Sequence, residues 1–363
     1  MSKILLTGAS GYIGKKLLRR LLSERSESII IPLRASGSEN FELRKNNFLS
    51  SFSKLDQDRI QIIESELSQL SESLKFETNA LKVIIHNAAK TAFNVDEETA
   101  NTVNRDSSFK LLDFAKECAH LEQFLYVSTL YTSGLSSGLI KESFFEKPNF
   151  ANHYERSKWE VENEIRMNYV DLPWRIGRVA TVISDDVNGR VVQQNAIHNT
   201  LKLFYYGLIS LLPGSATTPI HLVDGDFVTQ ALSNIINLGE NHKIYHVCYG
   251  QDAAIKLGQM IDIAFSEFNK DESFKSRRLL KPLFTDEKSF DVLVSNVQGF
   301  GGSVLNQGLS SISPFGRQLF VNKEIENSSL MKLMNFGPSV PIEEIVKRSC
   351  EFLAQTKFAK LQE

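Results

Sequence analysis

Eight residues near the N-terminus restrict this chain more than any other stretch. Ile4-Leu5-Leu6 is an unbroken apolar run of buried-strand length. Further on, Ile13, Leu17, Leu18, Leu21 and Leu22 fall on one helical face, with Lys15, Lys16, Arg19 and Arg20 largely on the other. Between them stands Thr7-Gly8-Ala9-Ser10-Gly11-Tyr12-Ile13-Gly14. A backbone that leaves a strand and enters a helix so quickly must turn sharply, which glycine permits. Small residues also let a pyrophosphate approach bare N–H groups at the helix N-terminus, where the helix dipole adds positive charge. In this context the Gly-x-x-Gly-x-x-Gly spacing predicts a dinucleotide site drawing on Gly8, Ser10, Gly11, Tyr12, Ile13 and Gly14. A plain structural turn is the alternative, and the amphipathic helix that follows argues against it.

The same alternation continues. Ile29-Ile30-Ile31, Ile60 to Ile63, Val83-Ile84-Ile85 and Phe124 to Val127 read as further strands, and Phe109, Leu111, Leu112, Phe114 and Ala115 mark another helix. Strands without polar alternation, separated by helices, predict an α/β fold with a parallel sheet covered on both faces. Asp185 to Gly189 reads as a turn, after which the alternation is lost. Lys270 to Lys281 is charged, and Gln298 to Gly316 is rich in Gly and Ser. The expected division is a dinucleotide-binding domain over 1–180, completed by 219–248, with 181–218 and 249–363 as a smaller, mostly helical substrate-binding region. Leu201 to Leu212 is the most apolar later stretch, but it holds Lys202 and Gly207 and stops at Pro213. It is shorter than the roughly 20 residues of a membrane span and reads as a buried helix or pocket wall.

A net charge of −2 gives no reason to expect nucleic acid as a partner. Cys118, Cys248 and Cys350 are odd in number and far apart, which excludes a disulfide framework and suggests reduced thiols in a cytoplasmic protein. Met1 runs almost directly into the first strand, too short an apolar run for a signal-peptide core. The seven histidines show no metal-ligand spacing, so no metal is expected. His153 reads as a helix-start or surface residue.

The end of the second strand selects the cofactor. An acidic residue about 20 positions beyond the glycines would bind a ribose 2′-hydroxyl. Here that position is Arg34, whose guanidinium suits a 2′-phosphate and favours NADPH, with Arg44 and Lys45 as further positive charge. Pro32 cannot donate to a sheet ladder, so the strand is expected to end there and leave Arg34 in a loop. Tyr154 and Lys158 are four apart and share a helical face. A neighbouring ammonium would favour the phenolate and fit the tyrosine for proton transfer. Ser128-Thr129 follows the strand Phe124 to Val127 and supplies a hydroxyl at its carboxyl end.

These pieces, with His86-Asn87-Ala88-Ala89 and Asn104, resemble the extended short-chain dehydrogenase/reductase superfamily over about the first half of the chain. The resemblance implies a Rossmann-type doubly wound sheet, with Thr129 as the catalytic hydroxyl and Ser128 as its fallback. It makes Tyr154 the acid, Lys158 its partner and a ribose ligand, and Asn87, Ala88 and Ala89 cofactor contacts. Within the superfamily the chain is most similar to the thioester reductases and fatty acyl-CoA reductases of the male sterility branch. The resembling stretches are Leu33-Arg34-Ala35, Tyr126 to Tyr131, Tyr154 to Glu160, Pro219 to Asp224 and Ile244 to Val247. Ser313-Pro314-Phe315, followed by Phe320 and Asn327, fits more weakly. The chain departs from the pattern at Glu64-Ser65-Glu66, where Gly-Asp is usual, and at Arg178-Val179, where Arg-Pro is usual. No small Gly follows Asn104.

The implied reaction is hydride delivery from NADPH to an acyl thioester on CoA or a carrier protein, giving an aldehyde. Whether a second hydride carries it to an alcohol stays open, as does the oligomeric state. Some of the 24 phenylalanines would line an acyl tunnel, most being ordinary core. Two alternatives remain. One is a nucleotide-sugar epimerase or dehydratase, or a hydroxysteroid-type dehydrogenase, and Arg34 opposes the NAD-retaining members. The other is a non-catalytic NADPH-binding regulator, which would have no use for Thr129, Tyr154 and Lys158.

Overall fold

The computed structural model describes residues 2–34, 40–298, 313, 315–334 and 340–359. Most of the Gly- and Ser-rich stretch, with Ala35 and Pro314, lies outside the described residues. Seven parallel strands form the central sheet: β1 (Lys3–Thr7), β2 (Ser28–Leu33), β3 (Ile60–Glu64), β4 (Leu81–His86), β5 (Gln123–Thr129), β6 (Trp174–Val179) and β7 (Lys243–Val247). Their order is β7-β6-β5-β4-β1-β2-β3. The chain steps outward from β1 to β3, then crosses to β4 on the other flank of β1. Strand order thus reverses between β1 and β4, which opens a crevice at the carboxyl ends of those strands.

Two-sided burial explains the unbroken apolar runs. Ile4 and Leu6 face one side with Ile29, Ile31 and Leu125, while Leu5 faces the other with Ile30, Ile84 and Phe124. On the first side lie α1 (Tyr12–Glu24), through Leu17, Leu18 and Leu21, and the helix before β7, Gly225–Leu238, through Val228, Leu232 and Ile235. The second side is covered by α2 (Ser107–Glu117), through Leu111, Leu112 and Phe114, and α3 (His153–Asn168), through Val161 and Ile165. With helices on both faces, neither alternate position needs a polar residue.

One strand limit differs from the sequence expectation. β2 continues through Pro32 to Leu33, with Pro32 opposite Ile63 of β3. The pairing of β1 with β2 reaches only Ile30. Pro32 therefore has a strand on one flank alone, where a missing donor is tolerated. Arg34 still lies just beyond the strand.

Short strand pairs also form outside the sheet. Thr181–Ser184 pairs with Leu222–Asp224, and Gly138–Ile140 pairs with Lys323–Ile325. The apolar stretch from Leu201 begins within the helix Ala196–Tyr205, turns at Gly207 (φ +70°) and ends in the strand Leu211–Pro213. Helices Leu257–Phe268 and Ile342–Gln355 pack together and extend the core of the first sheet face through Met260, Ile261, Ile345 and Val346. Among the described residues no helix is long and apolar enough to cross a membrane.

Candidate active site

The glycine loop turns tightly against β4. Gly8 has φ +72°, and a Cβ there would stand 2.8 Å from the Ala88 backbone. A Cβ on Gly14 would lie 2.0 Å from the Gly8 carbonyl oxygen, so only hydrogen allows α1 to approach the strand this closely. Gly11 is less confined, at 3.3 Å from the same oxygen. The end of β4 fastens the loop. Thr7 Oγ1 lies 2.9 Å from His86 Nδ1 and accepts from the Ala88 N–H at 3.1 Å, while Asn87 Nδ2 donates to the Gly8 carbonyl at 3.4 Å. Burial pushes His86 down to about 3, so the ring is neutral. The Tyr12 hydroxyl donates to the Ser184 carbonyl at 3.2 Å, leaving the backbone of Tyr12, Ile13 and Gly14 to present the free N–H groups of a first helical turn.

A cavity of about 560 Å³ runs along the strand ends. Arg34, Arg44, Ser65 and Glu66 line one part, the glycine loop with Asn87, Ala88 and Ala89 another, and Val127, Ser128, Thr129, Tyr154 and Lys158 a third. The close approaches at Gly8 and Gly14 and the unpaired first-turn amides fit a dinucleotide pyrophosphate. Arg34 is 53% exposed, with its guanidinium 3.9 Å from the Glu66 carboxylate.

Strand pleating separates the two candidate hydroxyls. Ser128 Oγ donates to Glu162 Oε1 at 2.6 Å, and Glu162 is itself paired with the fully buried Arg178 at 2.6 Å. Thr129 Oγ1 instead donates to the Val179 carbonyl at 3.4 Å, accepts from the Tyr131 N–H at 3.3 Å and shares the cavity wall with Tyr154. Asn152 caps α3 by accepting from the Glu155 N–H at 2.9 Å, which starts the helix one residue before Tyr154. Lys158, one turn on, donates to the Val127 carbonyl at 2.7 Å and sits 4.4 Å from the centre of the Tyr126 ring. Burial pulls its ammonium down to about 7. Burial also raises the Tyr154 phenol, opposed by the nearby Thr129 hydroxyl. The lowering expected from the lysine does not act on the phenol here, and removal from water dominates.

Several neighbours of the site had no role assigned from the sequence, Asn104 and Phe315 entering there only by resemblance. Phe93, from the loop after β4, and Phe315 stack at 5.7 Å, and Phe93 meets Tyr154 edge-on at 5.8 Å. Asn104, which the sequence marks only by resemblance, sits in a π-helical stretch, Ala100–Asp106. Its amide accepts from the Lys90 N–H at 2.7 Å, donates to the Lys90 carbonyl at 3.0 Å and donates to Ser157 Oγ at 3.2 Å. It thereby ties the Phe93 loop to α3. Gln318 donates to Glu155 at 2.9 Å and accepts from Lys323 at 2.8 Å, joining the C-terminal region to the residue beside Tyr154. His153 is exposed. Local sequence patterns do not carry such contacts, because each joins segments well apart along the chain.

Comparison with known proteins agrees with this arrangement. Over 143 residues the chain is 34% identical to fatty acyl-CoA reductase 1 of Mus musculus, covering 35% of this chain and 28% of that one. Over 164 residues it is 29% identical to the chloroplastic fatty acyl-CoA reductase 2 of Arabidopsis thaliana, covering 39% and 27%. The matches thus span little more than a quarter of these relatives. Among solved structures, the terminal R domain of the myxalamid PKS-NRPS biosynthetic pathway superposes with a TM-score of 0.77 at 20% identity, over 100% of this chain and 93% of that one. UDP-glucuronic acid 4-epimerase from Bacillus cereus, in complex with NAD, gives 0.65 at 18% identity over 97% and 96%. Residues 6–232 match the family model of the male sterility protein, and this chain is therefore a member of that family, built on the extended short-chain dehydrogenase/reductase fold.

Proposed function

We propose that the protein is an NADPH-dependent reductase that converts an acyl thioester, carried on CoA or a carrier protein, to an aldehyde. The observation that carries this reading is that Thr129, Tyr154 and Lys158 line the same cavity as the glycine loop. The names of the mouse and Arabidopsis relatives support the thioester. Gly8, Gly11 and the first turn of α1 would hold the pyrophosphate, and Arg34 with Arg44 the 2′-phosphate. NADPH supplies a hydride when bound. The Thr129 and Tyr154 hydroxyls hold the thioester oxygen and the negative charge it gains, acting as a pair of donors in a dry site. Tyr154 then passes its proton to substrate or leaving thiol, and Lys158, in its protonated form, places positive charge beside it. Ser128, committed to Glu162, has no part in this reading.

The test is NADPH oxidation with a series of acyl-CoA thioesters, with aldehyde and alcohol products measured directly. Arg34→Ala should raise the KM for NADPH at least tenfold and leave that for NADH nearly unchanged. Equal use of NADH and NADPH by the unaltered protein would overturn the cofactor assignment, and no thioester turnover would overturn the reaction.

A further inference from the structure

A second, much smaller cavity lies behind the aromatic wall of the first. It measures about 30 Å³ and is lined mainly by apolar side chains such as Leu130, Ile220, Val321 and Ile325, with Thr181, His221, Gln318 and the buried Lys323 also at its wall. Tyr131, Ala180, Thr181 and Phe315 line both cavities, so these residues form the partition between them. Substituents on a carbonyl held at Tyr154 can leave in two directions. A charged, bulky carrier needs the open crevice, and an apolar chain is better placed inside. Toward the inside it meets the stacked Phe93 and Phe315 rings, with Tyr131 edge-on to Phe93 at 5.4 Å.

The two rings of the partition are held differently. Tyr131 is tethered, with its hydroxyl 2.8 Å from Thr181 Oγ1 and its N–H donating to Thr129 Oγ1 at 3.3 Å. Phe315 is buried by hydrocarbon and ring contacts, which a chain of methylenes can replace. An engineered cavity of roughly 150 Å³ accommodates benzene, or about 25 Å³ per carbon, so the inner cavity as it stands takes about one. We propose that this inner cavity is the far end of the acyl site, and that Phe315 sets how deeply an acyl chain enters it. The proposal rests on the thioester reading above and adds to it the apolar subsite and its gate.

The test separates binding from turnover. Butanoyl-CoA and dodecanoyl-CoA are titrated by calorimetry into the NADP⁺-loaded full chain, and the ratio of their affinities is read for the unaltered protein, Phe315→Ala and Ile220→Phe. Each methylene moved into an apolar pocket is worth about fourfold in affinity. Phe315→Ala should raise the dodecanoyl-to-butanoyl ratio at least tenfold, and Ile220→Phe, which fills the inner cavity, should lower it. Melting temperature and NADP⁺ affinity report folding of each variant, with Phe315→Leu as the milder replacement. A ratio within twofold of the original in every folded variant overturns the proposal. If the ratio shifts but no thioester is reduced, the subsite stands and the reductase reading falls. If thioesters are reduced normally and the ratio does not move, the reductase reading stands and the subsite falls.

Discussion

Tyr154 and Lys158 are buried together, and that burial has consequences for both protonation and stability. Under the proposed reaction, Tyr154→Phe should lower kcat by about 10²–10⁴-fold while NADPH affinity stays within a few-fold. Stopped-flow hydride transfer and a binding titration measure the two separately. Lys158 titrates near 7 when folded and in the usual lysine range when unfolded, so between those values the unfolded chain holds the extra proton. Stability contributed at this position therefore rises with pH across that window, and the penalty is fully in place below about 7. Relative to Lys158→Met, the unaltered protein should gain up to about 3 kcal/mol between pH 7 and 9.5, measured by urea unfolding. Other groups titrating in that range cancel in the comparison. A difference that stays flat with pH would mean the ammonium is solvated after all. The Tyr-Lys pair was legible because positions four apart share a helical face. The choice between Ser128 and Thr129 was not, because both line the cavity and only the tertiary fold brings Glu162 to the Ser128 hydroxyl.

The glycine loop shows how much of an element sequence can specify. Its position between a strand and an amphipathic helix pointed to the turn, and the structure ranks the three glycines by contact. Gly14→Ala places a methyl group against the Gly8 carbonyl and must push α1 off the sheet. It should cost about 1–3 kcal/mol in chemical denaturation and at least tenfold in NADPH affinity. Gly11→Ala has room to relax and should cost less than about 1 kcal/mol. Equal effects would show that the helix is not seated by Gly14. Pro32 is the opposite case. Its missing donor suggested a strand end, yet β2 passes through it, because β1 has already stopped pairing. The length of a neighbouring strand is not written in the local sequence.

At the scale of the whole molecule, the C-terminal region is fixed to the active-site side by a buried polar cluster. Lys323 Nζ donates to Ser133 Oγ at 2.9 Å and to the Gly134 carbonyl at 2.5 Å, and Gln318 links it to Glu155. Burial pushes the Glu155 carboxyl up and the Lys323 ammonium down, and each charge opposes the shift of the other. Lys323→Met removes the cation and leaves Glu155 more costly to ionise. The loss should be roughly 3 kcal/mol near pH 7.5. It should shrink or reverse near pH 5.5, where a raised Glu155 is protonated and the unaltered protein retains an uncompensated lysine. Denaturant unfolding at the two pH values measures this, and an equal loss at both would show that Glu155 and Lys323 do not interact.

By itself the sequence determined the layered α/β sheet, the turn at the glycines and the helix carrying Tyr154 and Lys158. Each of these follows from periodicity or spacing within about thirty residues, where backbone geometry alone decides which side chains share a face. Tertiary structure decided which of the two hydroxyls is bound to Glu162, where β2 ends, and that Phe93, Phe315, Gln318 and Lys323 gather around one helix start. Those contacts join segments as far as about two hundred residues apart, and no local pattern encodes them. They arise when apolar faces are buried together and the polar groups caught between them must find partners.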